Sequence, residues 1–108
     1  MDDTERLRRF IVNADGLCRD PAAVSSDALD RRLVALVRIS ALCAVGAPTP
    51  SIRAEVDAAV TAGVSETEII DVLAVIVPII GMPRAVSAAP KVAVALGYDI
   101  DLLSDDSR

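Results

Sequence analysis

The stretch Ser65-Glu66-Thr67-Glu68, with the run that follows it, constrains this chain more than any other feature. A Ser and a Glu at S-x-x-E spacing form a reciprocal cap, each side chain taking up an amide of the other's backbone, and this marks the first turn of a helix. Val64 before the cap and Ile69 after it fit the apolar staple that fixes the entry angle of the chain. A helix therefore starts at Glu66. Residues 72 to 80, Val-Leu-Ala-Val-Ile-Val-Pro-Ile-Ile, are apolar without interruption. Their β-branched content would suit a strand, but a run headed by a capping box reads as a helix, kinked or ended around Pro78.

The same logic extends in both directions. Upstream, Ile52, Val56, Ala59 and Val60 keep helical spacing on one face, with Arg53, Asp57 and Thr61 opposite. Thr49 is a suitable N-cap with Pro50 at the first helical position, and Gly63 suits the left-handed residue that closes a helix. Before it, a helix from about Asp27 to Val45 has Asp27 as its cap and Asp30 in its first turn, and ends at Gly46-Ala47-Pro48. It is apolar nearly all round, with Arg38 as its one interior charge, so burial on more than one side is expected. Downstream, Pro83 opens an Ala-rich helix with a kink at Pro90 and a stop at Gly97. Asp3 to Val12 forms a short first helix. Residues 13 to 26 hold helix breakers, though Leu17 and Val24 are able to pack back. The expectation is an all-α single domain over 1–108 of about five helices, with residues 1–26 as an N-terminal arm or short helix and 98–108 as a polar tail.

Composition says where such helices must put their surface. Of the 108 residues 53% are hydrophobic, with only one Phe, one Tyr and no Trp, and mean hydropathy is +0.47. A domain of this size buries about 65% of its unfolded surface, so an apolar excess of this kind points to a subunit interface. The net charge of −5 is opposite to what nucleic acid attracts, and Arg6, Arg8 and Arg9 are interleaved with acids. The uncharged run from Val72 to Pro83 is far shorter than the ~20 residues that cross a bilayer. No signal segment is recognised at the start. Cys18 and Cys43 are isolated and read as reduced thiols, so a soluble, cytoplasmic protein is expected. Ten Arg against the single Lys91 is a bias common in GC-rich bacterial genomes.

The segments Leu33-Val-Ala-Leu, Ala62-Gly-Val-Ser-Glu-Thr-Glu-Ile-Ile and Gly81-Met-Pro-Arg-Ala, in this order, resemble the carboxymuconolactone decarboxylase-like family, which includes the AhpD-type alkylhydroperoxidases. The resemblance covers roughly residues 28–97. It implies an all-α fold assembled into trimers or hexamers. The redox branch of that family uses a Glu, a C-x-x-C pair and a His, because a base relay must lower a thiol pKa before the thiolate can attack peroxide. Here those positions fall on Arg32 or Leu36 for the Glu, Pro48 and Ser51 for the thiols, and Glu55 for the His. The chain has no His at all, so dithiol peroxidase chemistry is not expected.

The decarboxylase branch needs no thiol pair, and there Glu55 is a candidate proton-transfer group, since burial raises a carboxylate's pKa. Arg53, Arg84 and Arg38 are candidates for holding an acidic substrate. Each has a plainer alternative: Glu55 as a surface carboxylate paired with an arginine, Arg53 and Arg84 in ion pairs between subunits, Arg38 snorkelling to an edge. Cys43 reads as a small core residue. No spacing suits a metal or a nucleotide, so no cofactor is expected. Two functions stay open: an acid–base enzyme of the decarboxylase-like type on a small acidic molecule, or a catalytically silent homo-oligomer that binds a ligand or partner.

Overall fold

The computed structural model describes residues 2–12, 26–99 and 101. Five helices and no strand occur among them: α1 (Asp3–Ile11), α2 (Arg31–Val45), α3 (Thr49–Thr61), α4 (Glu66–Ile80) and α5 (Met82–Ala95). The chain separates into two compact units, residues 1–30 and 31–108. The packing expected of Leu17 and Val24, and Cys18 itself, lie outside the described residues. In the first unit α1 is capped by Asp2, whose carboxylate accepts from the Glu5 amide at 2.8 Å. Along α1, Arg8 and Arg9 pair with Glu5, and Arg6 with Asp3.

In the second unit α2 and α5 are central, since each packs against the other three helices. The core is built from side chains three or four apart on each helix: Ala35, Ile39 and Cys43 from α2, Ile52, Val56 and Ala59 from α3, Ile69 and Val72 from α4, Ala88 and Val92 from α5. The capping box of α4 forms as the sequence requires. Ser65 Oγ accepts from the Glu68 amide at 3.1 Å, Glu68 Oε1 accepts from the Ser65 amide at 2.8 Å, and Val64 and Ile69 are both buried. Three helices end alike. The amide of the left-handed Gly returns to the carbonyl three residues back, and that of the next residue to the carbonyl five residues back, at Gly46-Ala47, Gly63-Val64 and Gly97-Tyr98.

Several boundaries differ from the sequence expectation. The second helix starts at Arg31, because Ser26 Oγ takes the Leu29 amide and holds residues 27 to 29 in a bend; Asp27 is therefore not its cap. Pro48, not Thr49, is the N-cap of α3, which places Pro50 second in the helix. Helix α4 runs through Pro78 to Ile80, and α5 begins at Met82 and runs through Pro90. A proline in a helix removes one backbone bond, and neither proline ends its helix here. Val60 is exposed and not part of the core face of α3. Helix α2 is buried on one side only: Val37, Ala41 and Val45 face outward.

Candidate functional site

Glu55 lies on α3 one turn after Ser51, and its side chain is 23% exposed. From α2, Arg38 brings Nη1 to 4.0 Å from Glu55 Oε1, and its own side chain is 56% exposed. The pair spans the α2–α3 contact, a loose ion pair with one covered acid and one accessible cation. Solvent weakens such a pair, which leaves the guanidinium available to a second anion.

The other two candidate arginines are elsewhere. Arg53 is two residues from Glu55, about 200° around the helix. It lines a shallow cleft of about 350 Å³ with Thr49, Pro50, Ala54 and Asp57. Arg84 crosses the end of α2, where a Cβ added to Gly46 would lie 3.1 Å from its Nη1. The structure thus joins Arg38 to Glu55 and does not bring Arg53 or Arg84 to the same carboxylate. Another cleft, of about 560 Å³, lies between Asp57 and Thr61 of α3 and Glu66, Ala95 and Leu96. Glu55 lines neither.

Three further polar ties join elements far apart in sequence. Arg32 Nη2 donates to Glu68 Oε2 at 2.5 Å, linking α2 to α4. The Tyr98 hydroxyl donates to Glu66. Lys91 Nζ donates to the Ala47 carbonyl at 2.8 Å, fastening α5 to the α2–α3 turn. No local sequence signal announced these partners, which are 36, 32 and 44 residues apart. Hydrogen bonds from Ser65, and then the charge of Arg32, hold the Glu68 carboxyl below its usual range. Burial pushes the Cys43 thiol up, with the Lys91 ammonium opposing it. Cys43 is 1% exposed, the small core residue that its helix suggested.

Glu55 apart, the positions that the redox branch would fill carry neither a thiol nor an acid. Pro48 caps α3, Ser51 is exposed in its first turn and Leu36 packs against the core. Arg32 is engaged by Glu68. Among the described residues no three His, Cys, Asp or Glu side chains converge in a way that would hold a metal ion. No described helix is long and apolar enough to cross a membrane.

The order of helices, the capped apolar α4 and the Gly-Met-Pro turn belong to one class of helical proteins. A comparison with family models matches residues 18–95 to the Carboxymuconolactone decarboxylase family, and the chain belongs to that family. A comparison with curated proteins returns no match, and neither does one with solved structures.

Proposed function

We propose that this protein is a non-redox, homo-oligomeric member of the carboxymuconolactone decarboxylase family that works by acid–base chemistry on a small carboxylic acid. Glu55 transfers the proton, and Arg38 holds the substrate carboxylate beside it. The supporting observation is the Arg38–Glu55 pair, which combines a mostly covered acid with an accessible cation across the α2–α3 contact. A proton-transfer group works best where bulk water is excluded, and a second subunit closing over this face supplies that cover. No cofactor enters this scheme. A reducing cytoplasm is the compartment in which Cys43 stays a thiol.

The test is a panel of small carboxylic acids, followed by mass spectrometry for loss of CO₂ or uptake of solvent deuterium. Glu55→Gln is expected to lower turnover about 100-fold or more while leaving the assembled mass unchanged. Turnover equal to that of the unaltered protein would remove Glu55 from the chemistry. One observation favours a second reading, a silent binding protein: Glu55 lines neither described cleft. Carboxylate binding that depends on Arg38, with no turnover across the panel, would select it.

A further inference from the structure

The last turns of α3 and α5 meet at the cleft of about 560 Å³. That volume falls within the roughly 300–1,000 Å³ of small-molecule sites. Its lining is of two kinds. Val60, Val64 and Leu96 supply apolar surface, Val64 buried and Leu96 half-buried. Asp57, Thr61 and Glu66 are polar and exposed.

Every charge at this cleft is negative. Among the described residues no Lys or Arg lines it, and Arg53, one turn before Asp57, lines the neighbouring cleft instead. Asp57 forms no ion pair among the described residues. Glu66 accepts from the Tyr98 hydroxyl, a neutral donor that leaves its charge uncompensated. The backbone adds to this. The closing turns of α3 and α5 engage carbonyls up to Val60 and Val94, so those of Thr61 and Ala95, both in the lining, have no backbone donor among the described residues. Two helices thus bring the negative ends of their dipoles to one place. The start of α4 contributes a positive end, which the Ser65–Glu68 cap and Glu66 itself offset.

The lining also selects among cations. A divalent metal ion needs several oxygen ligands held together, and no three acidic, His or Cys side chains converge among the described residues. An organic cation uses both kinds of lining at once, its charge against the carboxylates and its hydrocarbon over the valines and the leucine. We propose that this cleft binds a small organic ammonium ion, with its apolar body on Val60, Val64 and Leu96 and its charged head at Asp57 and Glu66. The site is separate from the acid–base chemistry put forward above. Glu55 is two residues from Asp57, about 200° around α3, and does not line the cleft.

The experiment is an NMR titration of the full chain with benzylammonium chloride at low salt, read on the amides of Thr61, Glu66 and Leu96. Saturable shifts are expected with a half-point of about 1 mM. Benzyl alcohol has the same shape without the charge, and methylammonium has the charge without the body. Each is expected to bind at least roughly tenfold more weakly. Asp57→Asn is expected to weaken benzylammonium binding about fivefold. Val60→Arg sets a competing cation at a position 55% exposed, and is expected to abolish binding with an unchanged helical spectrum. Benzyl alcohol binding as tightly as benzylammonium would reduce the cleft to an apolar contact and overturn the proposal. Methylammonium or calcium binding as tightly would reduce it to a diffuse acidic surface, and overturn it too. Unchanged binding in Asp57→Asn has the same consequence, as does the lack of saturation by about 20 mM.

Discussion

The turn between α2 and α3 and the turn between α4 and α5 do the same topological job by different means. At the first, Gly46 ends α2 with two returning backbone bonds, Ala47 is buried, and two cations from α5 converge: Lys91 on the Ala47 carbonyl and Arg84 across Gly46. At the second, a single residue, Gly81, makes the reversal with φ 86° and ψ 159°, flanked by the outward-facing Ile79 and Met82. One turn is fixed by polar ties to a neighbouring helix. The other depends on a backbone conformation that only glycine adopts readily, and its side chains add little within one chain. Apolar character alone therefore does not mark the core in this protein. Ile52 and Ile79 are the same residue with opposite roles.

The largest effect should come from that pair. Ile52→Ala removes a fully buried side chain and is expected to cost about 2–5 kcal/mol in urea unfolding, whereas Ile79→Ala, 86% exposed, should change stability by about 0.5 kcal/mol or less. Comparable losses at the two sites would mean that the α4–α5 end is covered after all. Next come the glycines. Gly81 occupies a region essentially closed to other residues, so Gly81→Ala should cost about 1–3 kcal/mol. Gly46→Ala, in the ordinary left-handed region and needing only a small retreat of the Arg84 side chain, should cost about 1 kcal/mol. The reverse order would show that Arg84 is held more firmly at Gly46 than a surface side chain should be. The smallest effect concerns acid. The Glu68 carboxyl is held below its unfolded value, so its contribution is present above the usual carboxylate range and is lost as pH falls through the lowered value. Glu68→Gln should lower stability slightly at neutral pH and flatten the acid side of the stability–pH curve below about pH 4.5, where the two proteins converge; an unaltered acid limb would contradict this.

What the sequence disclosed follows the range of the forces involved. The cap at Ser65, the staple of Val64 and Ile69 and the glycine that closes α3 act within five residues, so a local reading finds them. The start of α2 departs from the local pattern because Asp27 satisfies a capping signal just as local, and only the Ser26–Leu29 bond shows which option the chain takes. Val60 and Val37 kept an apolar pattern while facing outward, since periodicity names a face but not the neighbour that covers it. Glu55 and Arg38 were both candidates, but their pairing across α2 and α3 is a tertiary fact. The missing cysteines and histidine, by contrast, needed no structure: a residue type absent from the redox positions is visible in one dimension.

Lys91 ties α5 to the α2–α3 turn. It is the only lysine in the chain, and its amine is already bound to the carbonyl at the α2–α3 turn. For a reagent that couples to amines, whether a dye, a biotin or the surface of a sensor chip, this is the one side-chain target beside the chain's α-amine. Coupling there would detach α5 from that turn in the act of reporting on it. Labels for this protein are better placed through thiols introduced on exposed positions, and slow acylation of Lys91 becomes a direct readout of how tightly the junction is closed.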